Sequence, residues 1–251
     1  MNQKITTLLI AGLLFSGAAS AASQASSASM RLSNLNLSVF DLTPDDGVTS
    51  AFTVKEMTTE IEASLYDGRQ SWSDDQYPTG AASVNIAKYG SSSQTAWAGQ
   101  FGGFDLNSSS ATNSMTAGSW VSQRLTLTLA PQSGLVLDGW LSMTGHKATP
   151  SSNWLQSVYL NLTPQGSTGA SEYRFEKRLV STTFGPNDLD SNEQITMSYV
   201  NTSDVARDVS FQLYTQTSIR TVGLVPEPST YAMLGAGLLA LGLHARRRRT
   251  S

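Results

Sequence analysis

The chain has 251 residues, with 16 Lys and Arg against 19 Asp and Glu, two histidines and no cysteine. The lack of thiols excludes a disulfide framework, a thiol nucleophile and a thiolate metal site, and so few histidines exclude a zinc centre of the usual His or Cys kind. Five basic residues (Lys4, Arg246, Arg247, Arg248 and Arg249) lie at the two ends, so residues 23–228 hold 11 basic against 19 acidic residues, a formal charge of −8; such a body repels nucleic-acid phosphates and anionic polymers unless cations bridge them.

Residues 1–22 have the pattern of a secretory signal peptide. Lys4 supplies a positive start, residues 5–15 a short apolar run, and Ala19-Ser20-Ala21 a small-residue cleavage site. Cleavage after Ala21 and after Ala22 fit equally well. The run is too short for a membrane span, so the segment predicts passage through the secretion translocon. The polar stretch 23–29 then reads as a lead-in to a body over residues 23–225.

The body has a hydrophobic period of two. Leu35, Leu37 and Val39 alternate with polar residues, and so do Val121, Leu125, Leu127 and Leu129 against Arg124, Thr126 and Thr128. The same alternation recurs through Val158, Leu160 and Leu162, through Phe175 and Leu179, through Ile195, Met197 and Tyr199, and through Val209, Phe211 and Leu213. Each is the signature of a half-buried strand. Turn-forming clusters separate the runs, as at 43–47 and 185–188, and no sustained helical stripe appears between the two ends. The reading is all-β: an antiparallel β-sandwich, jelly-roll-like or Greek-key. The Ser-, Gly- and Asn-rich stretches 66–80 and 88–119 are expected to carry the longer loops.

Chemistry in the body is sparse. Asp41, Asp45 and Asp46 put three carboxylates within six residues, a spacing that suits calcium, which takes several oxygen ligands at ~2.3–2.6 Å. The competing reading is a Pro-Asp-Asp-Gly turn. Asp188, Asp190 and Asn192 have a similar spacing, but Glu193 stands where a calcium loop of the EF-hand type needs glycine. Apart from calcium no cofactor is expected. His146, the only histidine of the body, has no nucleophile elbow near it. Glu60 and Glu62 share a strand face but do not announce a glycosidase pair, and the chain is read as a non-enzyme. Trp72 and Trp97 fall in the expected loops, where an indole face turned to solvent suits the C–H face of a sugar; they are the carbohydrate-binding candidates. Trp120, Trp140 and Trp154 flank alternating strands and are read as core or strand-edge residues.

The last segment, 226–251, is the most specific. Pro226-Glu227-Pro228 precedes an apolar stretch, 230–245, rich in Gly and Ala, and Arg246, Arg247, Arg248 and Arg249 follow it. As a helix that stretch is about 24 Å long at ~1.5 Å per residue, slightly short for a ~30 Å hydrocarbon core, a mismatch that snorkelling of flanking side chains and local thinning of the bilayer accommodate. The arginines mark the cytoplasmic side, and the prolines end any helix arriving from the body. In this order and spacing the three parts resemble the PEP-CTERM sorting signal. The resemblance implies an exosortase-type processing enzyme that cleaves near the tripeptide, and an origin in Gram-negative bacteria that make exopolysaccharide. It further implies an inner-membrane-anchored precursor destined for the cell surface or the extracellular matrix. For the body, three functions compete: a structural or adhesive surface component, a lectin-like carbohydrate-binding module that contacts the exopolysaccharide, and a hydrolase of matrix polymers.

Overall fold

The computed structural model describes residues 25–45, 47, 49–111, 114–165 and 173–221; the expected signal peptide, the Pro-Glu-Pro motif and the expected membrane helix lie outside them. The described chain forms twelve strands: β1 (Ser26–Asp41), β2 (Phe52–Tyr66), β3 (Ser71–Gln76), β4 (Ala82–Lys88), β5 (Ser91–Trp97), β6 (Phe104–Ser110), β7 (Thr116–Leu129), β8 (Ser133–His146), β9 (Asn153–Pro164), β10 (Tyr173–Ser181), β11 (Asp188–Asn201) and β12 (Arg207–Arg220). They make two six-stranded sheets, in the orders β11-β8-β1-β6-β5-β4 and β10-β9-β12-β7-β2-β3, with every pairing antiparallel. This is the all-β sandwich that the alternation predicts.

Period-two patterning explains the layers. In β7, Val121, Leu125, Leu127 and Leu129 point inward and are buried, while Arg124 is exposed. Their facing partners include Leu135, Leu137, Leu141 and Met143 of β8 and Leu32 of β1, and together they form one continuous hydrophobic core. Each fully buried Leu or Phe is worth roughly 1.5–3 kcal/mol in removal from water, so register is strongly held: a one-residue slip would turn every such side chain to solvent. Bulges at 33–36 in β1 and 54–56 in β2 interrupt the ladders locally.

One expectation is corrected. The stretches 66–80 and 88–119 are not mainly loop but supply β3, β5, β6 and parts of β4 and β7. Their inward positions are filled by hydroxyls, with Ser91, Ser93, Thr95, Ser108 and Ser110 all buried. Serine alternating with serine gives no hydropathy contrast, so the strand period is there but invisible to a hydrophobicity reading.

Along both long edges the outer strands of the two sheets meet through side chains and not through ladder bonds. On one side β3 runs beside β4, and Trp72 of β3 meets Tyr89 edge-on at 6.2 Å, with the Lys88 ammonium 4.3 Å from the indole centroid. On the other, Lys177 of β10 pairs with Glu193 of β11 at 3.0 Å. Both described ends leave from one end of the sandwich. Ser26 is the register partner of Ser110, whose carbonyl accepts the Thr221 hydroxyl at 3.4 Å.

Two local contacts carry much of that end. Gly145 lies under the buried Trp154 indole, and a Cβ there would come within 2.4 Å of ring carbons. Lys147 is buried, and its ammonium donates to the carbonyls of Thr182 at 2.7 Å and Gly185 at 2.9 Å, tying down the β10–β11 connection. Gly145→Ala is expected to lower stability by about 1–3 kcal/mol through overpacking. Lys147→Met should cost about 1.5–3 kcal/mol, the range for hydrogen bonds to a charged group; urea denaturation of each variant measures both.

Candidate functional site

Among the described residues, those singled out from the sequence do not assemble into one site. Asp41, half-buried at the end of β1, accepts a hydrogen bond from the Thr43 amide at 2.8 Å, a local Asx turn. Asp45 is exposed, and Asp46 lies outside the described residues. No cluster of three or more metal-ligating His, Cys, Asp or Glu side chains occurs among the described residues. Asp188, Asp190 and Asn192 do not form a loop but alternate along edge strand β11. His146 Nδ1 lies 2.5 Å from Asp188 Oδ1, with the two side chains 40% and 76% exposed, an open setting in which water competes for every polar contact. Glu60 and Glu62 do share the outer face of β2, and Glu60 accepts the Tyr77 hydroxyl at 2.5 Å.

The tryptophan expectation is also corrected. Trp97 is not in an exposed loop; it ends β5, is 3% exposed and donates from Nε1 to the Gln100 carbonyl at 2.7 Å. Buried in the core, it has no face to offer a ligand. Trp72 is half-buried at the β3–β4 edge, with Lys88 and Tyr89 already against its ring. Trp154 is in the core, as expected, and Trp140 is 46% exposed on the outside of β8.

What the fold does bring together is a row of rings on the outer face of the second sheet. Trp120 of β7, Tyr214 of β12 and Tyr159 of β9 occupy outward positions on three adjacent central strands, because their neighbours Val121, Leu213 and Val158 point into the core. Tyr214 and Tyr159 are direct register partners. The Trp120 and Tyr214 centroids are 6.2 Å apart at 31°, and those of Tyr214 and Tyr159 are 6.4 Å apart at 36°. Arg174 of β10 extends the row, its guanidinium 5.4 Å from the Tyr159 centroid, within cation–π range. Sequence reading missed this row because its members lie far apart in the chain and each looks like an ordinary strand aromatic; the signal was their outward parity, opposite to that of adjacent core residues.

Polar groups border the rings. The Tyr214 hydroxyl donates to Gln216 Oε1 at 3.2 Å, and Glu62 is the register partner of Trp120. Burial first, then the Glu62 charge and Tyr159, push the Tyr214 phenol above the ordinary tyrosine range, so it stays a neutral donor at physiological pH. A hollow of about 260 Å³ opens beside Trp120, lined also by Tyr66, Glu62, Ser64, Gly118 and Gln216. Ser157 Oγ and Asn161 Oδ1, on either side of Tyr159 along β9, are buried and have no hydrogen-bond partner among the described residues. Two further hollows, of about 300 Å³ near the Arg31–Asp105 pair and about 330 Å³ near Asp208, contain no such ring row.

Because the folded-state phenol of Tyr214 holds its proton more tightly than an unfolded tyrosine, its contribution is intact below the unfolded value of about 10 and is lost as pH rises through the folded value. Wild type should therefore lose stability relative to Tyr214→Phe above about pH 10, and the wild-type-minus-variant phenolate absorbance should emerge only beyond the normal tyrosine range.

Comparison with known proteins adds one firm identification. Residues 224–249 match the family model of the PEP-CTERM protein-sorting motif. No curated protein matches the chain. Among solved structures, the chain has 9% identity, over 77% of its length and 96% of the other chain, with one described as "Structural basis for the promiscuous specificity of the carbohydrate-binding modules from the beta-sandwich super family". The TM-score is 0.10, a level at which the likeness carries no argument.

Proposed function

The chain carries a PEP-CTERM protein-sorting motif, the mark of an exported, membrane-anchored, exosortase-processed precursor of Gram-negative bacteria, and from that premise we propose that its β-sandwich is a non-enzymatic structural or adhesive component of the cell surface or exopolysaccharide matrix. The motif is the observation that carries this reading. In it, the precursor crosses the secretion translocon, is held in the inner membrane by 230–245 with the four arginines on the cytoplasmic side, and is released by cleavage near Pro226-Glu227-Pro228. The body suits that destination: long paired strands in two six-stranded sheets, and stability that does not depend on disulfides. A lectin-like role agrees with the same export and is favoured by one observation, the aromatic row across β9, β12 and β7.

Replacing Pro226, Glu227 and Pro228 by alanine is expected to leave the protein in the inner-membrane fraction at precursor size, while wild type appears at the surface or in the medium. Fractionation and immunoblotting distinguish the two, and release of the triple variant at the wild-type level would sink the processing claim.

A further inference from the structure

We infer that the outer face of the second sheet is a binding site for a neutral, extended hexopyranose polymer, with Trp120, Tyr214 and Tyr159 as its stacking platform and the hollow beside Trp120 as the place where one sugar ring makes its polar contacts. This deepens the surface-component reading by naming a ligand for it, and it fails or stands separately from the sorting claim.

Ring geometry is the first support. Neighbouring rings in the row are tilted by only 31° and 36°. The ring pairs at the edges are instead near edge-on, at 65° for Trp72 with Tyr89 and 77° for Tyr173 with Tyr199. Trp120 and Tyr159 are half-buried and Tyr214 is 38% exposed, so ring surface is left open to an outside partner. Centroid steps of 6.2 and 6.4 Å carry the row across two strand spacings, about 10 Å in all at ~4.8 Å each, longer than a single sugar ring.

The border defines the class of partner. A pyranose has apolar C–H faces and a rim of hydroxyls, and needs rings beneath it and mixed donors and acceptors beside it. Gln216, Ser64 and Glu62 supply these at the hollow, with Gly118 keeping its floor low. Tyr214 already occupies the Gln216 amide oxygen, which leaves the amide nitrogen as a donor.

Charge narrows it further. Glu62 lies against the Trp120 end of the row, and the body is strongly acidic, so an anionic polymer is repelled. Trp, Tyr and Arg also make protein–protein hot spots; it is the polar rim of Gln216, Ser64 and Glu62 at the hollow that favours a hydroxyl-rimmed sugar over a desolvated protein patch.

The test is calorimetry on the full chain in detergent, with cello-oligosaccharides and laminari-oligosaccharides as neutral probes and an oligogalacturonate as the anionic one. Wild type is expected to bind at least one neutral probe and to bind the anionic one more weakly. Trp120→Ala and Tyr214→Ala should each weaken binding about tenfold, the equivalent of about 1.4 kcal/mol, with unchanged circular dichroism. Trp140→Ala, an exposed indole on the opposite sheet, should bind like wild type and controls for general stickiness. Quenching of indole fluorescence by the probe, lost in Trp120→Ala but kept in Trp140→Ala, gives a second readout if the alanine variant of Tyr214 folds poorly. The inference is overturned if no neutral probe binds, if the anionic probe binds more tightly, or if Trp120→Ala retains wild-type affinity. Normal release of the protein in any of these cases leaves the sorting reading intact.

Discussion

Where β5 and β6 face β7 and β12, the two sheets are joined through hydroxyls, with little hydrocarbon between them. Ser93 and Ser119 lie 2.7 Å apart, Ser108 and Thr217 2.8 Å apart, and Ser119 is also 3.0 Å from the carbonyls of Gln94 and Asn107. A hydroxyl has one proton to donate and two lone pairs to accept, and Ser119, set between two carbonyls and the hydroxyls of Ser93 and Ser108, is fully engaged. These side chains are small, and Cα atoms of facing strands come within 8 Å of one another, against the ~10 Å usual between stacked sheets. Close approach of this kind is tolerable only because every buried hydroxyl in the layer has a partner; an unpartnered one costs about 1–3 kcal/mol.

The aromatic row depends on that layer. Gly118, Ser119 and Thr217 belong both to the thin zone and to the lining of the hollow beside Trp120. The same β7 residues therefore turn a small side chain inward and an indole outward at consecutive positions. At the other end of the sandwich, the bulky core of Leu127, Leu129, Leu135 and Phe211 holds the register that keeps this parity. Inner and outer faces are two consequences of one alternation, and neither is separable from the other.

How much was legible follows from the same chemistry. Strands whose alternation sets Leu, Val or Phe against polar residues, such as β7, β9 and β12, could be read directly, and so could the tail, because proline, an apolar run and arginines are each unambiguous. The serine strands were not legible: Ser91, Ser93 and Thr95 are buried, yet hydropathy ranks them with the turns around them. The same lack of contrast hides Trp97, whose neighbours have the composition of a loop although it ends β5 and is buried. Trp120 shows the reverse difficulty. A tryptophan beside a strong apolar run is usually core, and only the parity of the strand, settled by pairing with β2 and β12, turns it outward. Single residues can be assigned to a strand from local pattern, but a surface built from three strands distant in sequence exists only once their order across the sheet is known.

The end at which the chain leaves has a mechanical consequence. β12, the last described strand, is central in its sheet, aligned at fourteen register positions with β7 and at twelve with β9. Tension arriving through the residues after Thr221 pulls β12 along its own axis, while the ladder bonds on both sides stand across that axis. They are loaded together in shear, and none can be peeled away one at a time. Tyr214 sits on that same strand, so the ring row of the outer face stands on the best-braced strand of the sandwich.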